Sequence, residues 1–564
     1  MNSSTFIPSS FEIIEWTSLE PFFIALDKMP LNSEEELNQF LRCRSELEMA
    51  IDEDQAWRYI RFNVDTRNEE AKKAFEFFID EVEPKVESWF NRIDRKLAGS
   101  EGMKIFEHQH SVPARLLKKN IEIFREENLQ IFAELQKEEQ EYGSIISEMS
   151  ISINDKQYTL QQASELLQEN DRTFRESVYK KILEKRAGKS DVFNDLLSSM
   201  LRKRYKIAIN AGYKNFRDYQ HYNLGRFDYT VEDLQSFHSV IAQEVNPLVD
   251  DIMQARRGKL DIEKLKPWDL QVDVEGKHPL RPFTSTSLLI EKAVECFRSV
   301  NSDFADILSQ LNKENLLDLD SRFGKAPGGF NYPLHKSNRS FIFMNATGSM
   351  NDFETLMHEG GHAFHAHYYN HWPLIEYMNT PAEIAELASM SMELISMEHW
   401  DVVLTDSVEL NRAKRKQLEG SIIVLAWIAA VDKFQHWLYK NPEHTHNERN
   451  LAWTSIYREF SSHSIDWEGT EEAFVFAWQR QLHIFEMPFY YIEYAFAQLG
   501  AIAIWKNYRQ NPTKTLDKYI SMMKLGYTKP LPELYEEAGI EFSFSAEYVT
   551  ELMGFVREEL RKLN

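Results

Sequence analysis

Cysteine is scarce. The 564 residues hold two, Cys43 and Cys296, too few for a disulfide framework and in keeping with a reducing compartment. Long hydrophobic runs are missing as well. The longest purely apolar stretch covers residues 422–431, which is too short to span a bilayer and reads as a buried helix. The N-terminus, Met1 to Pro8, carries no basic segment followed by an apolar one, so no signal-peptide pattern is visible. Positive charge is in deficit: 65 Lys and Arg face 89 Asp and Glu, for a net charge of -24. A surface of that sign excludes nucleic acid as the main partner, because phosphate binding needs a basic face. The expectation is a cytoplasmic protein with neither nucleic acid nor membrane among its partners.

What is present is globular and helical. Hydrophobic residues make up 43% and charged residues 27%, values of an ordinary water-soluble chain. The length suggests two to four domains. Residues 1 to about 30 read as an irregular lead-in. From Ser33 to Tyr142 helical patterning dominates, and the aromatics near Phe75–Phe78 and Phe124 fall on its apolar faces. Ile151 to Thr159 alternates around Asn154-Asp155 and reads as a small hairpin. The run Arg202-Lys203-Arg204 reads as a solvated helix face. A long loop is expected between Gly258 and Pro282. A second, Gly324 to Phe330, is either a cradle for a ligand backbone or a plain turn. Ser340 to Asn345 reads as a strand. No internal repeat or low-complexity linker breaks the chain. We divide it into a helical N-terminal lobe, 1–200, and a helical catalytic lobe, 201–564.

The informative stretch is His358-Glu359-Gly360-Gly361-His362. On a helix, residues four apart share a face, so His358 and His362 can offer two nitrogens to one metal ion. Glu359, beside the first ligand, can reach a water there without being a ligand itself. This is the H-E-x-x-H pattern of zinc hydrolases, with Glu as general base. Asn351 followed by Glu354 suggests the cap that starts the helix, and Asn370 to Pro373 its stop. Two adjacent glycines inside a helix cost about 1 kcal/mol each relative to alanine, so something must approach Gly360 and Gly361 closely. A second helix is expected to open at Thr380-Pro381-Ala382-Glu383, with Thr380 as cap and Pro381 at its first position. One turn on comes Glu386, among apolar and small neighbours. An acid in such company is paired or metal-bound. Two His and one Glu leave the fourth position open for water, which is the catalytic arrangement.

With these residues the sequence resembles the thimet/oligoendopeptidase F family of zinc metallopeptidases, and in particular its short bacterial members of the oligoendopeptidase F and Pz-peptidase type. The resemblance rests on His358 to His365, Glu386, the entry segment Phe341 to Gly348, the Tyr-rich stretch near Tyr490 and the ending Leu531 to Ile540. It implies a mainly α, multi-lobe fold with a small β element beside a deep cleft that holds one Zn²⁺ per chain. It implies short unstructured peptides as substrates and cleavage of internal bonds. His358, His362 and Glu386 would be the metal ligands and Glu359 the catalytic base. The strand 340–345 would pair with the substrate backbone. His483, Tyr491 and Tyr494 would stabilise the oxyanion, with Tyr490 as a competitor, since the spacing here departs from the family's by at least one residue. Glu393, seven residues past Glu386, and His365, one turn past His362, are candidates to orient a ligand histidine. Two other readings stay open: a zinc carboxypeptidase or dipeptidase, and a helical peptide-binding protein without catalysis.

Overall fold

The computed structural model describes residues 6–8, 11–322 and 324–563; Met1 to Thr5, part of the stretch searched for a leader pattern, lie outside them. The lead-in is not irregular throughout, since Trp16–Lys28 forms helix α1. Its Leu19, Phe23 and Leu26 are fully buried, and burial of that stripe overrides weak local signals. Helix α2, Glu34–Val64, starts where the Ser33 side chain accepts from the Glu36 N–H, and three glutamates in its first turn suit the positive end of the helix dipole. With α3, Glu83–Ala98, these helices enclose an apolar core that includes Phe40, Leu47, Ile93 and Leu97.

Helix α4, Glu126–Ser147, leads into the hairpin β1–β2, Ser150–Ile153 and Lys156–Thr159. Asn154 and Asp155 both sit at positive φ, 51° and 61°, the two-residue turn that matches strand twist. The basic run in helix α5, Ser190–Asn210, is a solvated face only in part: Arg202 is exposed and Lys203 half-buried, but Arg204 turns inward. Arg204 is buried, donates to the Ile484 carbonyl at 3.2 Å and to the Phe485 carbonyl, and lies 3.5 Å from Glu139. Sequence spacing could not show this, because its partners lie 65 and about 280 residues away.

A second and larger core takes in most of the remaining elements. Helix α6, Val231–Val240, and helix α7, Thr286–Val300, precede a three-stranded sheet of β3, Leu317–Asp320, β4, Phe330–Leu334, and β5, Arg339–Ala346. The order is β3-β5-β4, with β3 parallel and β4 antiparallel to β5. Four long helices complete the frame: α8, Met350–Tyr369; α9, Ala382–Ser396; α10, Ser407–Lys440; and α11, Glu493–Gln510. The apolar run 422–431 lies inside α10 and is mostly buried, as its composition predicts. The fold is mainly α, and no described helix is long and apolar enough to cross a membrane.

The expected loop from Gly258 to Pro282 starts two residues later, since a helix runs through Lys259, and it is fixed by one buried carboxylate in the turn Pro267–Asp269. Asp269 accepts from Arg175 at 2.9 Å and from Arg172 at 2.8 Å, and its second role is to cap the turn at the Lys266 N–H, 3.1 Å away. Burial opposes its charge, but the two arginines outweigh it and hold the carboxyl below its usual range. Asp269→Ala leaves the buried Arg175 guanidinium without its counter-charge. Loss of about 3–5 kcal/mol is expected, read as a lower denaturant midpoint; an unchanged midpoint would show that the loop is held by packing alone.

Candidate active site

Helix α8 begins two residues earlier than its sequence suggests. Ser349, not Asn351, is the cap, and Asp352, not Glu354, completes the reciprocal box. Asp352 Oδ2 also accepts from the N–H groups of Thr347, Gly348 and Ser349, at 2.7, 2.8 and 2.9 Å. That nest of donors outcompetes the alternative start. Helix α9 differs too: Pro381 is its cap residue, no side chain caps it, and Thr380 stays outside. Glu383 instead accepts from the Tyr229 hydroxyl at 2.6 Å in the interior.

The glycine pair has the cause that its cost implies. A Cβ on Gly361 would lie 2.6 Å from Ser389 Cα and 2.9 Å from the Ala388 carbonyl oxygen, both backbone atoms of α9. A Cβ on Gly360 would meet the Phe297 ring at 2.6 Å. Only glycine lets α8 and α9 come this close. The result is that His358, His362 and Glu386 converge from two helices.

Their donor atoms are spaced for a shared ion. His358 Nε2 lies 3.4 Å and His362 Nε2 3.5 Å from Glu386 Oε2. Tetrahedral zinc with nitrogen and oxygen ligands at about 2.0–2.2 Å sets its donors about 3.3–3.5 Å apart. A second trio, His238, Asp432 and His436, is fully buried and differs in this respect. His238 Nε2 and Asp432 Oδ2 are 2.7 Å apart, a hydrogen-bond distance. The donor set around Glu386 therefore fits a divalent ion.

These neighbours also set the charge of each group. Burial disfavours charge on His358, but Glu386 and Glu393 outweigh it and hold its pKa well above the ordinary value. Burial likewise opposes charge on Glu386, and His362 and His358 pull it well below the carboxylate range. Glu393 accepts from His358 Nδ1 at 2.6 Å, and Gln417 donates to its other oxygen at 2.6 Å. This fixes the ring so that Nε2 faces Glu386. His365 makes no such contact: it is buried against Tyr369, its Nε2 has no partner, and burial lowers its pKa to about 3. Glu359 is buried, with Oε2 free of any hydrogen bond, and burial raises its pKa.

Two segments border this group. Gly329, in the loop before β4, would place a Cβ 3.7 Å from Glu359 Oε1 and 3.3 Å from the Phe343 carbonyl, so the loop runs past the carboxylate. Strand β5 is paired on both sides, Phe341 with Tyr332 on one and Ile342 with Leu317 on the other. It cannot take a substrate strand there; β4 is the outer strand on the glycine-loop side. Opposite, the segment 483–494 brings His483, Tyr490, Tyr491 and Tyr494 together. The His483 ring lies 4.6 Å from Tyr491, 5.8 Å from Tyr494 and 6.1 Å from Tyr490, centre to centre. Tyr490 donates to Glu386 Oε1 at 3.3 Å, and Tyr494 lies near enough that, after burial, the Glu386 charge raises its phenol. The Tyr491 ring packs on His483 and Tyr494.

Sequence reasoning missed the supports. Gln435 accepts the Phe489 N–H at 2.8 Å, and Arg226 donates to the Phe489 carbonyl at 2.5 Å while pairing with Glu493 at 2.6 Å. They hold Phe489 at φ 67°. No local signal marks residues so far apart in the chain.

A pair of histidines and an acid at metal spacing, beside a buried free carboxylate, is the equipment of a metallopeptidase. Comparison with known proteins gives the same class. The model of peptidase family M3 matches residues 165–554, and the M3 N-terminal domain matches residues 6–124. The chain is 21% identical to an oligoendopeptidase F homologue of Borreliella burgdorferi, over 91% of this chain and 88% of that one. Pz peptidase A, solved with an inhibitor, superposes with TM-score 0.92 at 26% identity over 99% of both chains. A structure titled putative oligoendopeptidase F superposes with TM-score 0.93 at 24% identity over 99% of both. The chain belongs to peptidase family M3, and it is a metal-dependent peptidase of oligopeptides.

Gly361→Ala should push α9 from α8 and separate Glu386 from the histidines. Metal bound per chain after dialysis is expected to fall at least tenfold. Gly420→Ala, where a Cβ meets nothing within 4 Å, is the control and should keep full metal. Equal metal content in the two variants would refute the close-approach argument.

Proposed function

We propose that the protein is a zinc endopeptidase that cuts internal bonds of short peptides, with His358, His362 and Glu386 holding one Zn²⁺ per chain. The observation that carries this reading is the 3.4 and 3.5 Å donor spacing around Glu386 Oε2, with the free oxygen of Glu359 alongside. A zinc ion held there would supply Lewis acidity, lowering the pKa of water and polarising a carbonyl. Residues 201–564 carry the catalytic groups and 1–200 make up the N-terminal part, with helix α5 running through the 200/201 boundary so that the two share one core. The two cysteines, both free, suit a cytoplasmic enzyme.

The chain's own groups account for the proton traffic. Glu359 takes a proton from the attacking water at its free oxygen and passes it to the leaving amine. Its raised pKa suits it to hold that proton between the two transfers. Glu393 keeps the His358 proton on Nδ1, so Nε2 remains a donor of electrons. His483 is set in the opposite sense. Trp427 donates to Gln481 Oε1 at 2.8 Å, which turns the amide so that Gln481 Nε2 donates to His483 Nδ1 at 2.6 Å. Burial lowers the His483 pKa to about 4, so the ring is neutral and its proton sits on Nε2. That N–H, with the hydroxyls of Tyr491, Tyr494 and Tyr490, can donate to the oxyanion of a tetrahedral intermediate. Burial raises the phenols of all three, Tyr491 to about 12, so they stay protonated donors.

Glu359→Gln should retain about one zinc per chain, by mass spectrometry, and lose turnover by about 10³-fold or more. Substantial residual hydrolysis would reject Glu359 as the base. A quenched peptide blocked at both ends separates the remaining readings. Its cleavage, lost on chelation and restored by zinc, is the expected outcome. Cleavage only of peptides with a free C-terminus would assign a carboxypeptidase instead.

A further inference from the structure

The arginines buried inside this chain are all bonded. Arg44, Arg175 and Arg226 pair with carboxylates, and Arg204 and Arg449 donate to backbone carbonyls. Arg186, in the last turn of the helix Arg172–Ala187, breaks this rule. It is half-buried, yet it makes neither a hydrogen bond nor an ion pair among the described residues. Arg480 also has neither, and it is open to solvent. Its guanidinium lies 4.5 Å over the Trp427 ring, a cation–π contact that holds the charge without neutralising it.

Hydrogen bonds bring these two residues into one neighbourhood. Gln479, just before Arg480, donates to the Ser190 carbonyl at 3.2 Å and to the Ser190 hydroxyl at 2.9 Å, four residues past Arg186. The Gln479 carbonyl accepts from the Tyr142 hydroxyl at 3.1 Å. The charges agree with this placement. Burial first, and Arg480 second, lower the Arg186 pKa, and the other ionisable groups that act on it are the phenols of Tyr142 and Tyr179. Glu486 acts on Tyr142 but pairs with neither arginine. Two like charges thus stand together among aromatic rings. A partly buried guanidinium without a partner is costly, and a carboxylate between the two would give each a charge-assisted pair.

The same stretch leads straight to the proposed oxyanion donors. Trp427, under Arg480, donates to Gln481, and Gln481 donates to His483. The Tyr491 ring packs 4.6 Å from the His483 ring, and the Arg480 charge opposes the rise that burial causes in the Tyr491 phenol. Three residues of chain separate Arg480 from His483 by at most about 11 Å.

We propose that Arg186 and Arg480 bind a carboxylate of the peptide substrate, about three residues or fewer from the scissile bond, on the His483 side of the metal donors. The enzyme then favours acidic peptides and disfavours basic ones. The inference rests on the peptidase reading above and adds the substrate class. The carboxylate has two possible sources, an Asp or Glu side chain or the C-terminus of the peptide.

The test uses quenched peptides of one length, with Glu, Gln or Lys placed one to four residues on either side of the cleaved bond, each with a free or amidated C-terminus. The expected result is a kcat/KM at least fivefold higher for Glu than for Gln at one position, with Lys below Gln, or the same gain for the free over the amidated C-terminus. The first outcome assigns an acidic side chain, and the second the terminal carboxylate. In Arg186→Gln and in Arg480→Gln the ratio should fall below twofold. The ratio is taken within one variant, so a weakened fold or a displaced His483, which slows all peptides alike, does not move it. Equal rates for Glu and Gln peptides at every position together with no effect of amidation, or a ratio that survives in either variant, would overturn the proposal. Binding of the same peptides to Glu359→Gln, by fluorescence anisotropy, reads the preference without turnover. If no peptide is cut yet the anionic peptides still bind at least fivefold more tightly, the endopeptidase reading fails and this one stands.

Discussion

The contact on which the molecule depends is the approach of two helix backbones at Gly361. Ser389 Cα and the Ala388 carbonyl stand where a Cβ would be. A metal site of this kind needs ligands from separate segments at fixed spacing, and side chains of few atoms cannot span a wide gap. The tight crossing brings Glu386 within 3.5 Å of both histidine nitrogens without stretching any side chain. Two glycines in mid-helix are a poor choice for local stability. Burial of Phe353, Leu356, Met357, Leu387 and Met392 around the crossing offsets that loss.

Around this crossing, charge is arranged in layers. His358, His362 and Glu386 form the inner set, and Glu393 and Gln417 hold the inner set from outside. The segment 483–494 closes the other flank. Its shape is held by a residue that dislikes its conformation: Phe489 is not glycine, yet it adopts φ 67°. A non-glycine residue there costs about 1–3 kcal/mol. Gln435 and Arg226 grip both of its backbone polar groups, and its ring packs on His436 and Tyr439. The buried trio of His238, Asp432 and His436 then has a structural use, as part of the wall on which Phe489 rests.

Much of this was legible from the residues alone, for physical reasons that differ by element. The His358–Glu359–His362 face follows from helical periodicity, and Glu386 from the cost of an acid among apolar neighbours. The hairpin at Asn154-Asp155 is fixed by which residues tolerate positive φ. Caps were legible only in kind: Ser349 and Asp352 won over Asn351 and Glu354 because Asp352 gathers two further backbone donors, Thr347 and Gly348, besides the Ser349 N–H of the box. Arg204 shows the limit, for its basic neighbours suggest solvent and its partners lie in distant segments. The central place of β5 was equally hidden, since a fully paired strand and an edge strand share one composition.

The two ends of the interior obey opposite electrostatic rules. At the metal donors, positive and negative groups are matched one against another, so Glu386 stays ionised deep inside. At the α2–α3 end the match is abandoned, and acids outnumber the single arginine. A fold has no need of that imbalance for stability, because unpaired buried carboxylates oppose folding. The helix that carries Glu87 and Asp94 also buries Ile93 and Leu97, and Leu97, three residues past Asp94, shares its face, so Arg44 is the group that lets Asp94 stay charged beside that core.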